Sequence, residues 1–353
     1  FVPQNYYSKY DNTSQDELTE NVDSRYKSNE FTLYAEDEMT LCKSVKLNGG
    51  LHYTLFGISG TKYHSIEPRA AINFRLCDKA SLKVSYTEMS QFMHQLSATY
   101  LNLPTDYWVP STARITPMKA RQYAAGVYTR LPYNIRWSVE GFYKTMDNLI
   151  EYDGNSGMLN PMADRWEEEV RTGKGKAYGM ETDIRYSNGK TSVDASYTLS
   201  WSKRFFPDFH SSWYPDKFDN RHRFSVNIGH KFNERIDVYA SWNYHSGNRM
   251  TIPTQQVDAP VIPGVEKANE GMMIYEMPNN VSLPAYHRLD LGINFRKTTK
   301  RGFERIWNIS LYNAYCRMNP LYATVQQNPD GTFVGKAHGV FPIIPSFSYT
   351  LKF

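Results

Sequence analysis

Residues 191–202 read TSVDASYTLSWS, and Val193, Ala195, Tyr197, Leu199 and Trp201 alternate there with Ser192, Asp194, Ser196, Thr198, Ser200 and Ser202. A period of two puts the apolar side chains on one face of an extended strand and the hydroxyls on the other. The alternation returns at Ile135, Trp137, Val139, Gly141 and Tyr143 against Arg136, Ser138, Glu140, Phe142 and Lys144. It returns again at Ile236, Val238, Ala240, Trp242 and Tyr244 against Asp237, Tyr239, Ser241, Asn243 and His245. Residues 45–55, 66–76, 178–186, 224–232, 287–295 and 347–353 read the same way. The pattern predicts about thirteen strands, each near the 9–11 residues that a tilted transmembrane strand needs.

The connections alternate in length. Short ones fall near 43, 78, 131, 187, 233 and 297, and long ones at 57–65, 91–116, 148–174, 205–219, 246–283 and 317–341. In an up-and-down antiparallel sheet every second connection lies at the same end, so one end is predicted to carry tight turns and the other large loops. Outer-membrane barrels have that asymmetry, with turns in the periplasm and loops outside the cell. The apolar faces are therefore assigned to lipid and the hydroxyl-rich faces to a polar lumen. A large soluble antiparallel protein with an apolar core, such as a glycan-binding β protein, is the competing assignment, and no propeller-like repeat is found.

Phe31, Leu33, Ala35, Met39 and Leu41 make one apolar face that Asp37 interrupts. A carboxylate facing lipid costs little only near an interface, so Asp37 is predicted beside the periplasmic headgroups. Residues 1–28 are predicted as an extracellular loop and residues 29–353 as strands, the last running inward, which requires an odd strand count. Closed bacterial barrels have even counts, and open edges in lipid are unfavourable. The expected fold is thus all-β: the C-terminal part of a larger transmembrane antiparallel up-and-down β-barrel.

Composition narrows the partners. Charged residues make up 22% of the 353-residue chain, and no apolar run approaches the roughly 20 residues of a membrane helix. The 27 tyrosines suit sites with one dry and one wet side. A dispersed net charge of +4 offers no nucleic-acid groove. The opening FVPQNYYSKYDNTSQDELTE lacks the order of a signal peptide and reads as an interior loop. Cys42, Cys77 and Cys316 match no metal or redox spacing and are expected as free thiols.

Several stretches, in order, resemble the C-terminal half of TonB-dependent outer-membrane receptors in the form common among Bacteroidota. They are NEFTLYAEDEMTL at 29, EPRAAINFRL at 67, LKVSYTEMSQFMHQL at 82, GFYKTMDNLIEYDG at 141, YGMETDIRYSNGKTSVDASYTLSWSKR at 178, DNRHRFSVNIGHKF at 219, YHRLDLGINF at 286 and FPIIPSFSYTLKF at 341. The resemblance implies a 22-stranded barrel closed by an N-terminal plug, importing a scarce nutrient with energy passed through the TonB protein. This chain would hold about the last thirteen strands, without the plug, the TonB-contacting segment or the first strands. The implied partners are outer-membrane lipid and lipopolysaccharide, the plug and remaining strands, TonB through the plug, and a surface lipoprotein. Wording of the glycan-importing SusC-like branch is missing from the C-terminus. The final SFSYTLKF, ending on Phe353, resembles the signal read by barrel-assembly machinery.

No nucleophile, base and orienting acid can be assembled from the sequence, and the histidines are too dispersed for a metal cluster. No catalysis, metal or cofactor is therefore expected. The lumen faces carry Arg69, Arg75, Arg136, Glu140, Lys144, Glu181, Asp183, Arg185, Arg288, Asp290 and Arg296. These side chains either contact the plug or form cross-strand ion pairs. Complementary charges on 134–147 and 175–187 predict pairing between those two strands. Trp108, Trp166, Trp213 and Tyr214 in the long loops are the ligand-stacking candidates, against anchoring or loop packing as their ordinary use. His222 and His287, beside Arg221 and Arg288, are expected to fix loop exits or to bind an anion. The functional expectation is the barrel wall and outer loops of a receptor for a metal chelate, vitamin, oligopeptide or oligosaccharide. The alternative is an outer-membrane barrel acting as a structural or assembly partner without TonB coupling.

Overall fold

The computed structural model describes residues 27–96, 107–152, 166–168, 170–257, 272–300, 302–329 and 331–353. Most of the predicted loop at residues 1–28 therefore lies outside the described residues. Thirteen strands follow one another in a single antiparallel sheet. They are β1 Ser28–Cys42, β2 Val45–Ile58, β3 Thr61–Cys77, β4 Ala80–Gln91, β5 Met118–Leu131, β6 Ile135–Tyr152 and β7 Val170–Ser187. Then come β8 Thr191–Phe205, β9 His222–Lys231, β10 Ile236–His245, β11 Tyr286–Thr298, β12 Glu304–Tyr312 and β13 Ile344–Lys352. Each pairs with its sequence neighbours, and β1 and β13 each keep one edge without a strand partner among the described residues.

The register sorts side chains as the alternation predicts. On β8, Val193, Ala195 and Tyr197 lie opposite Ile228, Val226 and Phe224 of β9. Val193, Ala195, Leu199 and Trp201 lie opposite Tyr186, Ile184, Met180 and Tyr178 of β7. This apolar face is uncovered: Leu33 is 63% exposed, Ile66 63% and Phe347 62%. A compact soluble globule would hide such a surface, because exposed apolar patches of this extent are unfavourable in water. The buried apolar clusters lie instead among the outer strand ends and long loops, one of Leu96, Val109, Ile115, Ile150, Trp166 and Val170, another of Phe56, Ile58 and Phe92, a third of Met250, Ile252 and Leu283.

Aromatic rows mark the borders of the apolar face. Tyr86, Tyr123, Tyr143, Tyr178 and Trp201 are register partners in succession across β4 to β8. Their rings touch at 4.9, 6.3 and 5.4 Å for Tyr86–Tyr123, Tyr143–Tyr178 and Tyr178–Trp201. Near the tight turns, Phe295, Trp307 and Tyr349 are aligned across β11 to β13. Paired aromatic girdles of this kind belong at the two interfaces of a bilayer.

One expectation about a connection is corrected. The predicted long loop at 57–65 is a two-residue turn, because β2 continues to Ile58 and β3 starts at Thr61. Ser59 and Gly60 both have positive φ, 42° and 84°, as a type I′ hairpin turn requires. Asp37 lies on the apolar face opposite Gly49, as the alternation places it. It is five residues inside the strand end, so at about 3.4 Å per residue and about 45° tilt it stands about 12 Å above the turn.

Candidate functional site

Above the upper aromatic row the strands run on and the long connections fold back over them. Arg204, near the end of β8, donates from Nε to Asp216 Oδ2 at 2.6 Å and from Nη1 to Glu151 Oε2 at 3.1 Å. Asp216 is positioned by the strand-like pair Tyr214–Pro215, which aligns with Arg204 and Lys203. Its amide donates to Ser202 O at 2.9 Å. The Tyr214 ring is fully buried beside this group, and its hydroxyl has no hydrogen-bond partner among the described residues. Burial first, and Glu151 next, push the Tyr214 phenol well above its ordinary pKa, while Arg204 opposes them. One step further on, buried Asp219 accepts from Ser202 N at 2.8 Å and pairs with Arg221 at 3.1 Å and Arg249 at 3.4 Å.

A hairpin of Met93–Leu96 and Tyr107–Pro110 leans over the same region. With Glu151, Arg204 and Lys217 it lines a cavity of about 280 Å³, to which it contributes His94, Gln95 and Trp108. Arg204 is neutralised by its two carboxylates, so the cavity offers the amide groups of Gln91 and Gln95 and the indole face of Trp108. Such a mixture suits a compact polar ligand with flat or hydrophobic parts.

His94 is fully buried, with Nε2 2.9 Å from Ser111 Oγ and Nδ1 unpartnered. If Nε2 carries the proton it donates to Ser111, and only a lone pair at Nδ1 is left unmatched. Desolvation lowers the His94 pKa to about 4. The opened hairpin then takes up a proton that the closed one refuses, so closure is fully stable above pH ~6.5 and weakens as pH falls toward ~4. Amide exchange of residues 93–96 and 108–111 is expected to quicken between pH 7 and 5 after correction for intrinsic rates. His94→Gln is expected to flatten that dependence; unchanged protection in the unsubstituted protein would contradict it.

The four loop candidates separate. Trp108 lines the cavity and is 44% exposed. Trp166 is buried in the cluster with Leu96 and Val109, where it holds loops together. Trp213 packs at a tilt against Phe205 at 5.6 Å and carries Lys176 Nζ 4.1 Å from its ring centre, away from the cavity. Tyr214 backs the Arg204 group. His222 and His287 bond to Tyr197 and Tyr315 hydroxyls at 2.9 and 2.7 Å, and the His222 amide donates to Ser246 Oγ at 3.1 Å, so both tie loop exits. Sequence reasoning missed His94, Glu151, Arg204, Asp216 and Asp219. The one local signal was the density of Asp, Arg and aromatic residues between 204 and 221.

The lumen-face candidates lie together on the polar face, but the predicted β6–β7 ion pairing does not form. Arg136 stands opposite Arg185 and Glu140 opposite Glu181, while Ser138 faces Asp183 and Lys144 faces Ala177. Glu140 instead accepts from Tyr128 at 2.6 Å, and Arg185 lies 3.8 Å from Asp194 on β8. Arg69 faces Thr87. Arg288 pairs with Asp290 at 2.8 Å and bonds to Tyr286 and Tyr312 hydroxyls. Phe353 follows the last strand and is exposed. All three cysteines are free.

Residues 2–315 match the family described as TonB dependent receptor-like, beta-barrel. The chain belongs to that family. Its fold is shared with solved receptors at low identity. The ferripyoverdine receptor of Pseudomonas aeruginosa aligns with a TM-score of 0.59 and 14% identity over 97% of this chain and 42% of that one. The ferric yersiniabactin uptake receptor of Yersinia pestis gives 0.60 and 11% over 93% and 46%. The ferric preacinetobactin receptor of Acinetobacter baumannii gives 0.55 and 15% over 92% and 43%. No curated protein matches the sequence. The chain thus spans less than half the length of these TonB-dependent receptor structures, and its apolar face corresponds to the outside of a barrel wall.

Proposed function

We propose that this chain forms the wall and outer loops of an outer-membrane receptor that captures a metal chelate and imports it with energy from TonB. The cavity under the paired segments 93–96 and 107–110 carries the reading: it lies at the loop-bearing end, and Trp108 offers it a partly exposed indole face. Solved receptors that share the fold are named for ferripyoverdine and for ferric yersiniabactin, which favours an iron chelate over the vitamin, oligopeptide and oligosaccharide alternatives. The free edges of β1 and β13 are where further wall strands would pair, and the charged polar face is where a plug would rest.

In the full-length receptor, titration with a panel of ferric chelates is expected to find one whose affinity falls about tenfold in Trp108→Ala, the loss of one stacked aromatic contact. Trp213→Ala should leave that affinity unchanged. Equal affinity in Trp108→Ala and the unsubstituted receptor would remove the cavity from the ligand path. Normal growth of a gene deletion on every scarce iron source tested would remove the import role.

A further inference from the structure

Ligand capture leaves one group of polar-face side chains unused, at the end of the sheet that carries the tight turns. Arg130, Arg136, Arg185, Asp194 and Asn227 are successive register partners across β5 to β9. The turn at 132–134, with Tyr133 and Asn134 at positive φ of 62° and 59°, closes the hairpin that sets Arg130 against Arg136. Three arginines therefore stand side by side, and like charges directly across a strand pair are destabilising. Asp194, 3.8 Å from Arg185, is the one carboxylate within 4.0 Å of any of them among the described residues. The row fronts a concavity of about 710 Å³, lined by seven cationic side chains against two carboxylates, Asp78 and Asp183. Asp78 takes Arg75, and Glu38 takes Lys46 at 3.0 Å from outside the concavity. Lys43, Lys79, Arg130 and Arg136 are left with no acid within 4.0 Å among the described residues. Across β10 to β13 the same face is balanced: Arg288 pairs with Asp290 at 2.8 Å, Arg296 with Asp237 at 2.6 Å and Lys352 with Glu304 at 3.4 Å. Unmatched charge is thus a local property of this sector.

We propose that this concavity is an anion-binding station at the periplasmic mouth of the lumen, taking a compact molecule that carries several carboxylates or phosphates. The identity of its occupant rests on the import reading: it would be the captured chelate itself, which makes the imported species a polyanion. Arginine suits the role, because its planar fork meets a carboxylate or phosphate with two parallel hydrogen bonds and never loses its charge. Adjacent strands lie about 4.8 Å apart, so the row from Arg130 to Arg185 is about 10 Å long. An ion with a single charged group meets two of the arginines at most. A polyanion reaches all three, and Lys79 as well, whose carbonyl accepts from the Arg130 amide at 2.7 Å. A station on an exit path must also release what it holds. Arg185 is 66% exposed, so water and salt keep each contact weak. The proposal requires the concavity to stay open to the periplasm beside the plug.

The test uses the full-length receptor purified in detergent, with pyrophosphate, citrate and inorganic phosphate as probes. Pyrophosphate and citrate are expected to bind, and phosphate to bind about tenfold more weakly. R130Q/R136Q should bind pyrophosphate at least about tenfold more weakly than the unsubstituted receptor. Because that variant removes opposed like charges, its thermal unfolding midpoint should be unchanged or higher. K352Q, in the balanced sector, should bind pyrophosphate as the unsubstituted receptor does. Equal pyrophosphate affinity in R130Q/R136Q, or equal affinity for phosphate and pyrophosphate, would overturn the proposal. So would no binding to the unsubstituted receptor, the result expected if plug carboxylates fill the site. In cells, R130Q/R136Q should slow uptake of the ferric chelate that the outer loops bind while leaving its affinity there unchanged, the reverse of Trp108→Ala. Pyrophosphate binding by a receptor that imports no ferric chelate sinks the import reading and keeps the anion site. Import at an unaltered rate in R130Q/R136Q sinks the station and keeps the import reading.

Discussion

Replacing Arg204 with methionine is expected to open the outer cap while leaving the barrel wall paired. Arg204 is 19% exposed and lies between Asp216, 11% exposed, and Glu151, 30% exposed. Its removal leaves two partly buried carboxylates facing each other across a cavity, a change that costs about 3–5 kcal/mol in comparable sites. The cost falls on the weakest unit containing both acids, the 206–219 connection and its contacts with β6. Backbone amides of Ser202 and Asp216 should lose exchange protection, and protease added to intact cells should cut near 206–219. Strand amides lower on β8 should be unaffected. Arg204→Lys is expected to recover only part of the protection, because an ammonium cannot span both acids with the fixed geometry of a guanidinium. Unchanged protection of the cap in Arg204→Met would show that the acids are held by something other than this arginine.

Gly247→Ala is expected to have the next largest effect. A Cβ built on Gly247 would stand 1.7 Å from Leu283 O and 2.5 Å from Leu283 C, both backbone atoms that cannot rotate away. The approach is tied down: Leu283 N donates to Asn248 O at 2.8 Å, Arg249 pairs with Ser282, and Asn220 Nδ2 donates to Asn248 Oδ1 at 2.7 Å. The methyl group therefore forces apart the two arms of the connection between β10 and β11, at a cost of about 1–3 kcal/mol or more. Loss of amide protection at Leu283 and Arg249 should follow, along with loosening of the Met250, Ile252 and Leu283 cluster. Protection equal to that of the unsubstituted protein would show that the two arms of this connection can separate freely.

The wall was legible because lipid on one side and water on the other impose a strict period of two. Val193 to Trp201 and Ile135 to Tyr143 fall on the side their alternation dictates. Where the strands leave the membrane that constraint ends, and so did the reading: around Ser59–Gly60 the buried apolar side chains, Phe56 and Ile58, are on the opposite face and pack with Phe92, so the alternation breaks and the segment looked like a loop. The cap was illegible for a different reason. Arg204 meets Glu151 across 53 positions of sequence, and a periodicity carries no information about such partners. Charge complementarity between β6 and β7 misled because exposed ion pairs contribute only about 0–1 kcal/mol, too little to choose a register. Alignment of Tyr143 with Tyr178 and of Trp137 with Ile184 sets it instead, and like charges are left opposed where water or a polar partner can screen them.

Tyr178 and Tyr186 stand on the same strand eight residues apart, one in the upper aromatic row and one near the tight turn. At about 3.4 Å per residue and a tilt of about 35–45°, that separation corresponds to a vertical rise of about 19–22 Å. The chain is thus a molecular ruler shorter than the ~30 Å hydrocarbon thickness of an average bilayer. Short-chain bilayers should therefore host the protein with the least elastic strain.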